Sequence, residues 1–260
     1  MELNGRVALI TGGGRGIGRV TALALAAAGC DVAVLARSTH EVEEVAAEIE
    51  RSGRRSLAVS ADLADPVALT SAVAAIRAQL GPLAVLVNNA AIVEPLGPSI
   101  AADPEDWARA ININLTSVFR LISATLPGML ELGWGRIVSV SSGVAAGTGM
   151  NHANAYSVSK AGVEMLTRNL AAELAGKVVT VNAVRPGTVD TAMQGHIRTQ
   201  PVERVGQAMH DRFAGWYESG ALLAPELPAR LITAVIAGEE TGEVFAIGDP
   251  RSQELLQRGA

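Results

Sequence analysis

Tyr156 and Lys160 stand four residues apart in Tyr156-Ser157-Val158-Ser159-Lys160, 14 residues after a Ser141-Ser142 pair. On a helix that spacing puts the phenol and the ammonium on one face. A free Tyr titrates at about 10 and a free Lys at about 10.4. A fixed positive charge beside the phenol favours phenolate, so the spacing predicts a Tyr156 pKa drawn toward neutrality. A phenol so poised can give a proton to, or take one from, the oxygen of a carbonyl or an alcohol. Alone, the pair also describes an ordinary surface contact on a helix. The chemistry requires that other segments supply a second reactant.

One such segment opens the chain. Val7-Ala8-Leu9-Ile10 is a short apolar run suited to a buried strand. Thr11-Gly12-Gly13-Gly14-Arg15-Gly16-Ile17-Gly18 follows, then an Ala- and Leu-rich stretch to Ala28, closed by Gly29, which reads as a helix. Glycines at a strand-to-helix turn let the backbone approach a diphosphate, and the helix start aims free N–H groups at it.

Strands are predicted at Val7–Ile10, Asp31–Ala36, Ser56–Ser60, Val85–Val87, Arg136–Val140, Val178–Val184 and Val244–Ile247. Helices are predicted at Gly16–Ala28, Thr39–Arg51, Pro66–Leu80, Pro104–Leu132, Ala155–Leu174 and Pro225–Ala237. Strands alternating with single helices argue an α/β fold with a doubly wound parallel sheet. Ser38 with Glu41 forms a capping box, and Asp65-Pro66 and Asp103-Pro104 each place a cap before a proline at the first helical position. Pro127 predicts a kink or an early end to its helix. Residues 190–224 lack clear periodicity, as in a functional or mobile loop, and the polar tail 251–260 reads as mobile.

A length of 260 residues fits one α/β domain, 1–260. With 49% hydrophobic and only 3% aromatic residues, the core is built from Ala, Val, Leu and Ile, which suits parallel strands covered on both faces. A net charge of -5 offers no basic surface for nucleic acid. No apolar run approaches the roughly 20 residues that span a membrane, and the N-terminal pattern is not that of a signal peptide. The single Cys30 excludes an internal disulfide framework and is expected to be a buried thiol. A cytoplasmic protein is expected. His40, His152, His196 and His210 share no spacing, and no metal site is read.

Together these segments resemble the short-chain dehydrogenase/reductase family. The glycine spacing is its Thr-Gly-x-x-x-Gly-x-Gly. Asn88-Asn89-Ala90-Ala91, Asn114 in Asn112-Ile113-Asn114-Leu115, Ser142, Tyr156, Lys160 and Arg185-Pro186-Gly187 follow in the family's order, over about residues 5 to 191. The resemblance implies a single Rossmann-like sheet of about seven strands and a hydride exchanged between a nicotinamide and a ketone, aldehyde or secondary alcohol. It implies Tyr156 as general acid/base, Lys160 stabilising phenolate and holding the nicotinamide ribose, and Ser142, chosen over Ser141, holding the carbonyl oxygen. Asn114 would anchor water linking Lys160 to solvent, or serve as a core hydrogen-bonding residue.

The same resemblance assigns Gly12, Gly14, Gly16, Ile17 and Gly18 to the diphosphate, Asp62 and Leu63 to the adenine, and Asn89 and Ala90 to the ribose and nicotinamide. Asn89 also suits a tie between strands. Pro186, Gly187, Val189 and Thr191 would hold the carboxamide end. The second strand ends Ala36-Arg37-Ser38, without the carboxylate that bonds an NAD ribose. Arg37, Arg15 and Ser38 would receive a 2′-phosphate, which favours NADP(H) and leaves NAD(H) possible.

Val144–Asn154 and residues 190–224 would wall the substrate pocket. Met193, His196, Met209, Phe213, Trp216 and Tyr217 suit an apolar lid, and the helical spacing of Phe213, Trp216 and Tyr217 also fits a plain core-facing stripe. Alternatives are a 3-oxoacyl-thioester reductase, a dehydratase or epimerase on the same fold, and a non-catalytic nucleotide sensor. The segment from Ser142 to Tyr156 is one residue longer than is common in the family. The C-terminus lacks the usual Gly-Gly after its last strand, which bears on an implied homo-oligomer, a tetramer or a dimer.

Overall fold

A computed structural model describes residues 3–147 and 149–258. The strands are β1 (Val7–Thr11), β2 (Asp31–Ala36), β3 (Ser56–Ser60), β4 (Leu83–Asn88), β5 (Gly135–Val140), β6 (Val179–Arg185) and β7 (Val244–Ala246). The helices are α1 (Gly16–Ala27), α2 (Thr39–Arg51), α3 (Pro66–Gln79), α4 (Pro104–Ile111), α5 (Ser117–Glu131), α6 (Asn154–Glu173), α7 (Ala192–Arg198), α8 (Val202–Val205), α9 (Gln207–Glu218), α10 (Glu226–Ala237) and α11 (Pro250–Arg258).

All strand pairings are parallel, in the order β3-β2-β1-β4-β5-β6-β7. Successive residues of a strand face opposite sides, so β1 feeds two cores. Ala8 and Ile10 join Leu25 of α1, Ile49 of α2 and Leu231 of α10 on one side. Val7 and Leu9 join Ile76 of α3, Leu121 of α5 and Val163 of α6 on the other. Burial on both faces explains why the central strands are continuous apolar runs. Cys30 is fully buried beside Leu3, and burial pushes its thiol up to about 11.

The chain steps outward through β2 and β3, then returns to place β4 against the far side of β1. At such a switch point the loops diverge at the carboxyl ends of the strands and leave a crevice. The β1–α1 turn fits there because glycines stand where it passes closest to its neighbours. Gly12 has φ 62°, and a Cβ on Gly18 would lie 2.2 Å from the Gly12 carbonyl oxygen.

Three expectations are corrected. The helix predicted over Pro104–Leu132 is interrupted at Asn112–Thr116 by a wider π turn, and Pro127 lies inside α5 without ending it. Pro127 removes one intrahelical donor, while Leu121, Ile122 and Met129 still bury one face of α5 against the sheet and α3. The combined stretch Pro104–Glu131 is long and apolar enough to cross a membrane by length and composition, and here that face packs in the core. Residues 190–224 fold into α7, α8 and α9, whose apolar residues face a third, small core rather than repeating over one long helix. The tail forms α11, seating Leu255 and Leu256 beside α10; Gly259 and Ala260 lie outside the described residues.

The caps act as expected: Ser38 accepts from the Glu41 N–H, Asp65 from those of Val67 and Ala68, and Asp103 from that of Glu105. Gly18→Ala forces a methyl into the Gly12 carbonyl. We expect it to lower unfolding free energy by about 3 kcal/mol in urea denaturation, whereas Asp65→Ala, losing only an exposed cap, costs about 1 kcal/mol.

Candidate active site

The crevice at the β1/β4 switch is a cleft of about 1570 Å³. Gly12, Gly14, Gly16 and Ile17 line one end, and Arg15, Arg37, Ser38, Asp62 and Leu63 border it. Helix α1 starts at Gly16 with no side-chain cap, so its first N–H groups are left for a ligand. Gly18 does not reach the cleft wall; it makes room for the turn from beneath. A tight, glycine-rich turn at an uncapped helix start fits a dinucleotide diphosphate. Arg37 is exposed with no ion-pair partner among the described residues, and Arg15 lies 3.6 Å from the Glu41 carboxylate.

Asn89 and Ala90 line the middle of the cleft. The Asn89 amide donates to the Thr11 and Gly12 carbonyls (2.9 and 3.2 Å), tying β4 to β1. Asp62 accepts from the Ala64 N–H at 2.9 Å, leaving the helix-capping task to Asp65. Pro186, Gly187, Val189 and Thr191 line the cleft after β6, and a Cβ on Gly16 would be 3.4 Å from the Thr191 methyl.

At the other end, Ser142, Tyr156 and Lys160 converge. Ser142 follows β5; its hydroxyl accepts from the Val144 N–H at 3.4 Å and favours the ionised form of the Tyr156 phenol. Burial pushes the Tyr156 pKa up, and the Ser142 hydroxyl pulls only partly against it. The expected depression by Lys160 is therefore not what this arrangement produces. The Lys160 ammonium donates to the Val140 carbonyl at 2.6 Å and sits 5.7 Å from the Tyr156 ring centroid. Burial in turn lowers the Lys160 pKa to about 8.

The two serines divide cleanly. The Ser141 hydroxyl points away from Tyr156 and donates to Glu164 at 2.7 Å. Glu164 is buried one turn beyond Lys160 and accepts two 2.7 Å bonds from the Arg185 guanidinium. Burial alone raises the Glu164 pKa, but the bonds from Arg185 and Ser141 and the charges of Arg185 and Arg168 overturn this and leave it lowered. This carboxylate joins the ends of β5 and β6 to α6. Tyr156, Lys160 and Glu164 recur at helical spacing, a signal that sequence reading passed over.

Asn114 lies in the π turn, fully buried and away from the cleft surface. Its amide donates to the Ile92 carbonyl (2.8 Å) and the Ser159 hydroxyl (3.1 Å), and its oxygen accepts from the Ile92 N–H (2.8 Å). Both amide protons are thus engaged within the core, tying the π turn to Ile92 and to α6.

Met193, His196, Phe213 and Trp216 cover the substrate end. Phe213 and Met209 are both buried in the third core, Phe213 meeting Trp216 edge-on at 5.1 Å, while Tyr217 is exposed under Arg198. Glu94, after β4, holds this segment down through His196 and Arg204, each at 2.8 Å. These pairings are about a hundred residues apart in the chain, and no local pattern announces them. Thr148, in the Val144–Asn154 wall, lies outside the described residues. No group of three or more His, Cys, Asp or Glu positioned to hold a metal ion occurs among the described residues.

A parallel sheet with a glycine turn at its switch point and a Ser-Tyr-Lys cluster beside it defines a nicotinamide-dependent oxidoreductase of the short-chain type. The short chain dehydrogenase family profile matches residues 6–202, and the chain belongs to that family of NAD(P)-dependent enzymes. It is 39% identical over 201 residues to a 3-oxoacyl-[acyl-carrier-protein] reductase of Synechocystis sp., covering 77% of this chain and 81% of that one. A blue fluorescent protein from a metagenomic library, solved in complex with NADPH, superposes with a TM-score of 0.82 at 33% identity over 95% of this chain and 97% of its own. NAD+-bound xylitol dehydrogenase gives 0.85 at 26% identity, over 95% and 99%.

Removing one partner of a buried pair strands the other. Glu164→Gln is expected to lower unfolding free energy by about 3 kcal/mol at pH 7. Because the folded Glu164 pKa lies below its ordinary 4.5, its stabilisation is complete above that pH and is lost as pH falls through the lowered value. The gap between variant and wild type in urea denaturation should therefore shrink below about pH 4. A gap unchanged at pH 3 would contradict the assignment.

Proposed function

We propose that the protein is an NADP(H)-preferring reductase of ketones or aldehydes, and the corresponding alcohol dehydrogenase in reverse. The observation that carries this reading is the convergence of Ser142, Tyr156 and the buried Lys160 on the lining of the nucleotide cleft. The nicotinamide supplies the hydride. The Ser142 hydroxyl and Tyr156 phenol hold the carbonyl oxygen, and the phenol delivers the proton. A pKa raised by burial keeps Tyr156 protonated at neutral pH, which suits it to the reducing direction. Lys160, with a pKa of about 8, is poised to exchange a proton as the phenol loses one. Glu164 holds Lys160 and Ser142 in register through α6 and Ser141.

NADP(H) is favoured by Arg15 and Arg37 at the border of the cleft and by an alanine at position 36, where a carboxylate would repel a 2′-phosphate. The 3-oxoacyl-thioester reading draws support from the relative in Synechocystis sp.. Against an acyl-carrier partner, Arg204 is tied to Glu94 and Arg198 to Tyr217, so these lid cations are committed internally. Residues 190–224 act as the substrate lid of a single domain, 1–260. Phe119 of α5 and Val158 and Met165 of α6 are exposed and apolar, and we assign them to contacts between copies in a dimer or tetramer.

Tyr156→Phe should reduce NADPH-dependent turnover at least about 100-fold, while NADPH binding in a fluorescence titration stays within about threefold. The assay compares cyclohexanone with an acetoacetyl thioester as substrates, and faster turnover of the thioester selects the second reading. Arg37→Ala should weaken NADPH binding about tenfold or more and leave NADH little changed. Unaltered turnover in Tyr156→Phe would overturn the mechanism.

A further inference from the structure

Gly14 is the one glycine of the nucleotide turn whose missing side chain is explained by an acidic residue. A Cβ there would lie 2.7 Å from the Glu41 Cβ and 3.1 Å from Glu41 Oε2. The turn and the start of α2 are thus fitted so that the Glu41 carboxylate borders the cleft beside Arg15, Arg37 and Ser38. Its oxygen is 3.6 Å from the Arg15 guanidinium, and its backbone N–H donates to the Ser38 hydroxyl at 3.4 Å. Two groups suited to a 2′-phosphate therefore already face Glu41.

Resting on the nucleotide reading above, we infer that Glu41 is a specificity-determining residue that tempers the preference for NADP(H) over NAD(H). A 2′-phosphate held by Arg15 and Arg37 brings up to two negative charges close to this carboxylate, and it competes with the carboxylate for Arg15. The ribose hydroxyl of NAD(H) brings no charge and meets no such opposition. Arg15 is exposed and Glu41 half-buried, and at 3.6 Å with an exposed partner the pair is worth little as a fold contact, so its removal is expected to leave the fold intact. Glu41 and Asp62 are both acidic side chains at this end of the cleft, and of the two Glu41 is the one paired with Arg15, Asp62 lying against Arg109. The site accordingly accepts both cofactors, with a 2′-phosphate affinity below what its two arginines would give unopposed.

The test is direct fluorescence titration of NADPH and NADH against wild type, Glu41→Gln and Glu41→Lys, with thermal midpoints confirming an unchanged fold. Glu41→Gln is expected to tighten NADPH about three- to tenfold, and Glu41→Lys further, with NADH within about twofold. The NADPH gain should shrink in high salt, as screening of exposed charges requires. Equal changes for both cofactors, or no change for NADPH, would overturn the role of Glu41 while leaving the nucleotide site in place. Binding of neither cofactor by wild type would instead bring down the nucleotide reading, and this inference with it.

Discussion

Glu164 is buried under α6 with both carboxylate oxygens engaged, and the active-site segments meet around it. Ser141 reaches it from the end of β5, one residue before Ser142. Arg185 reaches it from the end of β6, one residue before Pro186 and Gly187. Lys160 lies one turn before it on the same helix. A charge taken from water is tolerated only when its partners satisfy it fully, and here the guanidinium fork and the hydroxyl do so. The cost of leaving any of them unpaired fixes where three otherwise independent loops can lie.

The second constraint is steric. Parallel strands that run outward in two directions from β1 and β4 leave a crevice, and the β1–α1 turn crosses it with glycines at its closest approaches. Gly18 under the Gly12 carbonyl and Gly12 against Ala90 set how closely the backbone is drawn in. Asn89 then stitches the two strands through the carbonyls that this close approach exposes. Geometry of this kind leaves backbone N–H groups free at the start of α1. The charge selection is left to the border, where Arg15, Arg37 and Glu41 stand.

Proton chemistry follows from burial. Taking the Tyr156 phenol and the Lys160 ammonium out of water penalises both charged forms, so the phenol becomes a weaker acid and the ammonium a stronger one. Proximity alone, read from four-residue spacing, suggests the opposite for Tyr156. The difference arises because burial, which exists only once α6 packs against β5, outweighs what favours the phenolate, while the ammonium donates to the Val140 carbonyl.

Most of the fold was legible from the chain. Alternating apolar runs and helical stretches gave the sheet, its parallel sense and the three helix caps, because strand burial and capping are local consequences of residue type. The glycine turn and the Tyr156–Lys160 spacing were equally local, and so was the absence of an acid at Ala36. What the sequence could not show were contacts between distant segments. The π turn at Asn112–Thr116 exists because Asn114 clasps Ile92 and Ser159 across the fold. Residues 190–224 fold as short helices because Glu94 and the third core give them partners. Ser141 and Ser142, adjacent and chemically alike, were separated in the sequence by family resemblance alone; packing supplies the physical difference, since Glu164 takes the Ser141 hydroxyl while Ser142 caps the turn that follows β5. Local pattern determined which elements form and which side chains could react; burial and long-range hydrogen bonding, which exist only once the chain is packed, decided their charge states and their partners.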